Sequence, residues 1–419
     1  MHMPNNVVEL TDPAQAQSAR SALDEILQQG AQKLLAAAIQ NEVQEYIQKH
    51  ADLRDEQGHR LVVRNGYLPE RQIQTPVGGI SVRQPRVDDR RPDHKFLSKL
   101  LPPYLRRTPS VDALIPALYL RGISSNDFTE ALASLLGPNA AGLSPTNILR
   151  LKEDWAKEFE QWSQRDLSAR RYVYWWVDGI YFNVRLDDTA RPCVLVIMGA
   201  LEEGTKELIA VVDGERESKL SWQALLSDLK KRGLAQGPKL AIGDGALGFW
   251  AALEEEYPGV ARQRCWVHKT ANVLDKLPKS VQPTAKAHLH EMYLSPTQAS
   301  ALQAYERFFK LYEDKYPKAC ACLRQDKAIL FTFYDFPAAH WAHLRTSNPI
   351  ESTFATVRHR TRQTKGCGSR EATLSMVFKL ASAAEKRWRK LNGSALLAEV
   401  IQGVKFQDGE LAVQSPQAA

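Results

Sequence analysis

Along residues 14–49, Leu23, Ile26, Leu27, Leu34, Leu35, Ala38, Ile39, Val43 and Ile47 recur at spacings of three and four. That is the period of one helix face. Thr11 or Asp12 is placed to cap this helix and Pro13 to open it. From His59 to Val87 the pattern changes to short β-like runs. Ile73-Gln74-Thr75 and Ile80-Ser81-Val82 flank Pro76-Val77-Gly78-Gly79, which reads as a hairpin turn. A basic, proline-punctuated stretch follows to about Pro109. Three helical pieces come next, at 111–120, at 126–136, and from Ser144-Pro145 past Trp155. With Gly-marked turns between them, they read either as a helix-turn-helix unit or as a plain helical connector. In the first case Thr146, Asn147 and Arg150 stand near the start of the recognition helix.

At Arg171 the character switches. Residues 172–182 are apolar on both alternating faces, as in a central strand covered on both sides. Strands at 194–198 and 208–212 follow, with Asp187-Asp188 and Glu203-Gly204 as turn signals. Then come a helix at 221–231, a strand at 240–243, a helix at 246–256 and a strand at 264–267. Three strands, helix, strand, helix, strand is the order of an RNase H-like sheet. Residues 269–340 read as helices punctuated by Pro278, Pro283, Pro296, Pro317 and Pro337. This is too long for a connecting loop and reads as a helical insertion. A helix opening at Pro349 and another over 371–391 close the pattern, before a polar tail from Gln407.

The expected fold is therefore an α/β RNase H-like catalytic domain with an all-α insertion, plus a mainly α-helical N-terminal DNA-binding region. The expected segments are a helix (1–57), a small β-hairpin and basic linker (58–109) and the helix-turn-helix-like domain (110–168). The core's first part (169–268), the insertion (269–342), the core's C-terminal helices (343–406) and a flexible tail (407–419) follow.

Composition narrows the function. The chain has 419 residues, 44% hydrophobic and 25% charged, and no apolar run long enough to span a membrane or serve as a signal peptide. Five scattered cysteines argue against a disulfide framework and for a reducing, cytoplasmic location. The net charge of +7 is unevenly spread: residues 83–107 hold eight Lys/Arg against three Asp, and residues 345–370 six against one Glu. Each cluster is net +5, so the remainder is slightly acidic. Two basic clusters around a catalytic pattern favour phosphate contact.

The candidate chemistry lies in three acids. Asp178 sits inside the doubly apolar strand, in Trp175-Trp176-Val177-Asp178-Gly179, where an acid is costly unless something pairs with it. Asp244 ends a strand in Ile242-Gly243-Asp244-Gly245-Ala246, and Glu351 falls in the first turn of a helix, in Ser347-Asn348-Pro349-Ile350-Glu351. Taken singly, Asp244 reads as a helix cap and Glu351 as an ordinary first-turn acid. Together they can converge on two divalent cations about 3.5–4 Å apart. Two Mg²⁺ ions, with Mn²⁺ as a substitute, suit such all-oxygen ligands. Arg358 lies seven residues after Glu351, on the same helix face. Arg360, Arg362 and Lys365 stand ready for neighbouring phosphates.

These motifs have a family likeness. Trp176-Val177-Asp178-Gly179, Gly243-Asp244-Gly245-Ala246, Gln263-Arg264-Cys265-Trp266-Val267-His268-Lys269, Asn272 and Asn348-Pro349-Ile350-Glu351 stand in a fixed order. Arg64-Asn65-Gly66-Tyr67 and Gly142-Leu143-Ser144-Pro145 precede them. In these the chain resembles the Mutator family of bacterial insertion-sequence transposases, related to eukaryotic Mutator-like elements. The resemblance implies that Asp178, Asp244 and Glu351 are a catalytic triad of the DDE class. It implies recognition of terminal inverted repeats on double-stranded DNA, 3′-end cleavage and strand transfer to target DNA. Synapsis of two ends implies a homodimer or larger assembly. Cys265 and His268 match the family's Cys-x-x-His feature, read here as packing and hydrogen bonding at the start of the insertion rather than as a zinc site. The alternatives are an RNase H-like nuclease without strand transfer and a non-catalytic, transposase-derived DNA-binding regulator.

Overall fold

The computed structural model describes residues 13–120, 123, 145–181, 193–214, 217–363 and 369–412. The chain divides into two compact units, residues 1–151 and 152–419.

In the first unit, α1 (Pro13–Lys49) opens at Pro13 as expected. Strands β2 (Arg71–Thr75) and β3 (Gly78–Val82) form the hairpin. Thr75 pairs with Gly78, so Pro76-Val77 alone makes the turn, and Gly78 takes a left-handed φ of 104°. The β-like runs reach just into the basic stretch: Pro85–Asp89 form β4, antiparallel to β1 (Val62–Tyr67). The region thus carries four strands where a single hairpin was expected, while its helices still hold most of its regular structure. Ile39 of α1 packs with Ile73, Ile80, Val82 and Leu101 in a small core. Tyr46 of α1 donates to Asp89 at 2.7 Å, and Arg91 donates to the same carboxylate. Arg90, Arg91 and Arg107 of the basic cluster pair with Asp88, Asp89 and Asp112, so part of its charge is neutralised within the unit. The early part of the α1 stripe, Leu23, Ile26, Leu27 and Leu34, is exposed. Helix α2 (Pro109–Leu120) and the start of α3 (Pro145–Ser163) match the expected first and third helical pieces. The expected second piece lies outside the described residues.

The second unit holds a mixed five-stranded sheet in the order β7-β6-β5-β8-β9. Strands β5 (Tyr172–Tyr181), β6 (Cys193–Leu201) and β7 (Lys206–Asp213) are antiparallel neighbours. Strands β8 (Leu240–Gly243) and β9 (Ala261–Arg264) run parallel to β5. Helices α4 (Lys219–Lys231) and α5 (Leu247–Glu256) bury Trp222, Leu225, Leu226, Phe249 and Leu253 against one sheet face. β5 is buried along nearly its whole length, as its two apolar faces require.

The last strand ends earlier than the sequence suggested. Cys265 N still donates to Gly243 O, but Trp266 N turns away to Arg345 O at 2.9 Å and α6 (Trp266–Leu274) begins. Helices α7 (Gln282–Leu294), α8 (Gln298–Tyr312), α9 (Pro317–Arg324), α10 (Lys327–Leu330) and α11 (Trp341–Leu344) follow. The chain returns through α12 (Asn348–Gln363) and α13 (Arg370–Glu385), then the short α14 (Leu397–Gln402). α13 stops short of the expected residue 391. Beyond it Arg389 O accepts from Lys206 Nζ and Leu391 N donates to Gly204 O, tying the chain to the β6–β7 turn instead. The expected flexible tail also begins too early. Phe406–Gln407 and Glu410–Leu411 form a hairpin, β10 and β11, in which Asp408 accepts from Gln298 N and Gly409 N donates to Tyr334 O.

The helical insertion is stapled to the sheet by buried polar groups. Gln263 and Trp266 both donate to Leu330 O, at 2.9 and 2.8 Å, and Gln263 Oε1 accepts from Phe333 N. Lys269 and Arg264 converge on Asp326, at 2.5 and 3.0 Å. Trp266 is fully buried. Trp266→Ala should destabilise the chain by about 3–5 kcal/mol, the usual cost of truncating a buried aromatic. The urea midpoint checks this; an unchanged midpoint would place the attachment elsewhere.

Candidate active site

Asp178 and Asp244 meet through strand register. The parallel pairing of β5 with β8 ends at Val177 and Gly243, and the next residues on the two strands are the two aspartates. Asp178 is only 5% exposed. β8 stops there because Gly245 turns the chain with φ 91°, and the Arg264 guanidinium fills the space that a side chain at Gly245 would need. Asp244 Oδ1 accepts from Ala246 N at 3.0 Å. Its carboxylate therefore closes the turn and does not cap α5.

Glu351 arrives from the other end of the sequence. Ser347 O accepts from the amides of Ile350 and Glu351, which starts α12. Ser347 Oγ bonds Glu351 Oε1 at 2.9 Å, donates to Cys265 Sγ at 3.3 Å and meets His268 Nδ1 at 3.4 Å. His268 Nδ1 is also 3.7 Å from Glu351 Oε1. Cys265 and His268 thus share Ser347 Oγ as a partner where the insertion starts, and the same hydroxyl bonds Glu351, the acid singled out from sequence. Among the described residues, Cys265, His268 and Glu351 are the one group of three whose ligand atoms all lie within 4.8 Å of one another. Asp178 and Asp244 are not in it, nor are Cys320, Cys322, His288 or His290.

Electrostatics joins the two halves. Cys265, Asp178 and Glu351 together raise the His268 pKa to about 9, the thiol contributing most, against the opposing effect of burial. Burial pushes the Cys265 thiol up, but His268 and Ser347 outweigh it and hold its pKa below the ordinary value. His268 is therefore protonated at neutral pH, and its charge is coupled to Asp178 as well as to Cys265 and Glu351.

The sequence reading missed Glu217. Burial, and then the charges of Asp244 and Asp178, push its carboxyl up to about 7, with His268 opposing. It immediately precedes Ser218, whose hydroxyl caps α4 by accepting from Ser221 N. In sequence it looks like one of several turn residues in Gly214-Glu215-Arg216-Glu217-Ser218. The signal that could have found it is the glycine after Asp178, since a side chain at Gly179 would collide with the Glu217 carboxylate.

The other sequence candidates are placed more coarsely. Arg358, Arg360 and Arg362 fall within α12, while Lys365 lies outside the described residues. Thr146 and Asn147 fall in the first turn of α3, and Arg150 is exposed.

Glu217 makes stability depend on pH in a defined direction. Its folded pKa of about 7 lies above the ordinary 4.5, so between these values the folded chain holds a proton that the unfolded chain has lost. Its contribution is present below the ordinary value and is lost as pH rises through about 7. Glu217→Gln removes this loss. In metal-free buffer the variant should gain stability relative to the parent between about pH 5 and pH 8. Urea midpoints at several pH values test this, and a gap that shrinks with rising pH would contradict it. Asp178, Asp244, His268, Tyr181 and Cys193 act on or near the same carboxyl. The comparison with the Gln variant isolates its share.

The whole-chain comparisons agree on one family. Residues 3–391 match the family described as Transposase, Mutator family. The chain is 52% identical over 298 residues to the transposase for insertion sequence element IS6120 of Mycolicibacterium smegmatis, covering 71% of this chain and 91% of that protein. It is 50% identical over 287 residues to the transposase for insertion sequence element IST2 of Acidithiobacillus ferrooxidans, covering 67% and 94%. A more distant relative is the transposase for insertion sequence element IS256 in transposon Tn4001 of Staphylococcus aureus, 28% identical over 326 residues, or 77% of this chain and 80% of that one. With a family match that runs from residue 3 through the aspartate-bearing sheet, the insertion and α12, this chain belongs to the Mutator family of transposases.

Proposed function

We propose that the chain is a DDE-class transposase with an RNase H-like catalytic fold, which cuts the 3′ ends of its insertion sequence and joins them to target DNA. The observation that carries this reading is the register of β5 and β8, which sets two aspartates side by side at the rim of a buried sheet. α12 brings Glu351 to His268, whose charge is felt by Asp178 as well. The mixed sheet with antiparallel β5–β7 and parallel β8 and β9 supports the RNase H-like assignment.

The donor set suits Mg²⁺ or Mn²⁺. Asp178 and Asp244 offer hard oxygen ligands, and burial first, then the charges of these two acids, pushes the nearby Glu217 carboxyl up. Two such ions, when bound, would supply Lewis-acid stabilisation of the attacking and leaving oxygens of an in-line phosphoryl transfer. Asp178 and Asp244 hold one edge of the site rigidly, because β5 and β8 fix their backbones. Glu351 closes the other edge from α12. Ser347 and His268 orient its carboxylate, and His268 offsets part of the negative charge of the three acids. Arg358, two helical turns after Glu351 in α12, is assigned to phosphate beside the site. Arg360, Arg362 and Lys365 are assigned to flanking phosphates, and Thr146, Asn147 and Arg150 to the terminal inverted repeats. A homodimer or larger assembly would synapse the two ends, and the exposed Leu23, Ile26, Leu27 and Leu34 of α1 support such a contact. No helix among the described residues is long and apolar enough to cross a membrane.

Asp178→Asn, Asp244→Asn and Glu351→Gln should each abolish end cleavage and joining while leaving DNA binding largely intact. Each change keeps the shape and removes a ligand charge. Gel-shift and strand-transfer assays with end DNA decide; near-parental joining by any one variant would remove that residue from the triad.

Arg358→Ala should slow strand transfer at saturating DNA by more than Arg360→Ala does. Arg360 is turned about 200° further round the helix, and a guanidinium beside the reacting phosphate is worth about 2–4 kcal/mol. An equal or larger loss for Arg360→Ala would contradict the assignment.

A further inference from the structure

We propose that Cys265, His268 and Glu351 form a separate site for a thiophilic divalent cation such as Zn²⁺, with Ser347 Oγ at its fourth corner. Its consequence for catalysis rests on the reading of Glu351 as a triad acid; the site itself does not.

The distances carry the inference. Ser347 Oγ lies 2.9 Å from Glu351 Oε1, 3.3 Å from Cys265 Sγ and 3.4 Å from His268 Nδ1, and that nitrogen is 3.7 Å from Glu351 Oε1. Tetrahedral zinc, with bonds of about 2.0–2.3 Å, sets its ligand atoms about 3.3–3.6 Å apart. The thiol sulfur lies within 4.8 Å of the histidine and glutamate ligand atoms, so a movement of about an ångström or less closes the shell.

The four groups come from two chain segments that backbone bonds hold together. Cys265 N donates to Gly243 O at 2.8 Å and Trp266 N to Arg345 O at 2.9 Å. These bonds set the start of α6 against the segment that leads into α12, so the donors meet before any ion arrives. Ser347 N donates to Cys265 Sγ at 3.3 Å, the kind of outer contact that steadies a metal-bound thiolate. Cys265 and Ser347 are fully buried. The His268 and Glu351 side chains are partly exposed and leave a way in.

Ligand softness separates this site from the one at the aspartates. A thiolate with an imidazole selects zinc-like ions, whereas Mg²⁺ and Mn²⁺ take oxygen. An ion held here keeps Glu351 Oε1 beside Ser347 and away from the hard ions assigned to Asp178 and Asp244. Zinc is on these terms an inhibitor of end cleavage and joining, not a cofactor.

The test is Co²⁺ added to the full-length protein without DNA, because tetrahedral cobalt bound to thiolate has a charge-transfer band in the ultraviolet and strong visible bands. The parent should show both, and Zn²⁺ should abolish them. Cys265→Ser should lose the charge-transfer band. Glu351→Gln, which keeps every cysteine, should weaken Co²⁺ binding about tenfold and serves as the test if Cys265→Ser does not fold. A parent without these bands, bands that survive Cys265→Ser, or parental affinity in Glu351→Gln would overturn the site and leave the triad reading untouched. Strand transfer in Mg²⁺ then reads the consequence. The Zn²⁺ concentration that halves it should rise about tenfold in Cys265→Ser; equal sensitivity would overturn the inhibition. A parent that binds Co²⁺ as expected and joins ends undisturbed by Zn²⁺ would keep the site and remove Glu351 from the triad.

Discussion

The site depends on the parallel pairing of β5 with β8. A one-residue slip in that register would send every β8 side chain to the opposite face and part Asp244 from Asp178. The register is fixed from both sides. β5 is buried along almost its whole length, and Ala241 and Ile242 of β8 are fully buried. Moving either strand would drive large apolar side chains such as Trp175 and Trp176 out of their places. The two acids thus stand at a position they would not choose electrostatically. Apolar burial of the order of 1.5–3 kcal/mol per side chain, summed over the strand, outweighs the repulsion between them.

Glu351 reaches the same place by a longer route. The insertion intervenes between β9 and α12, so the position of Glu351 depends on how firmly those helices are attached. The segment from Gln263 to Lys269 makes that attachment. Gln263 and Trp266 bind the Leu330 carbonyl, Arg264 and Lys269 bind Asp326, and Cys265 with His268 reaches Ser347 and Glu351. One seven-residue stretch therefore fastens the insertion and orients the acid that follows it. The Cys-x-x-His spacing makes sense on these terms. Cys265 precedes α6 and His268 is one turn into it, so both side chains face the start of α12.

Much of this was legible in the sequence. The doubly apolar run around Asp178 marked a central strand, Gly245 marked the end of β8, and Ser347-Asn348-Pro349 marked the start of α12. These signals are local, and local periodicity and turn chemistry carry them. The errors came where a distant partner decides. Residues 264–267 look like a strand, but Trp266 N bonds Arg345 O, 79 positions along the chain. Gln407 looks like the start of a polar tail, but Asp408 finds Gln298 N. Pro85–Asp89 straddles the boundary between the β-like runs and the basic stretch, and its strand partner, Val62–Tyr67, is exposed along most of its length.

Glu217 is the instructive omission, because its meaning lies in a residue that has no side chain. Sequence reading looks for chemistry in acids and cations and treats a glycine inside a strand as a weakness. Here the two belong together. Gly179 does not need an unusual φ, since it lies in a regular antiparallel register opposite Leu195. What it provides is volume: no other residue leaves room for a carboxylate against the β5 backbone. A glycine directly after a buried strand aspartate, where the neighbouring parallel strand has just ended, therefore points to an incoming group.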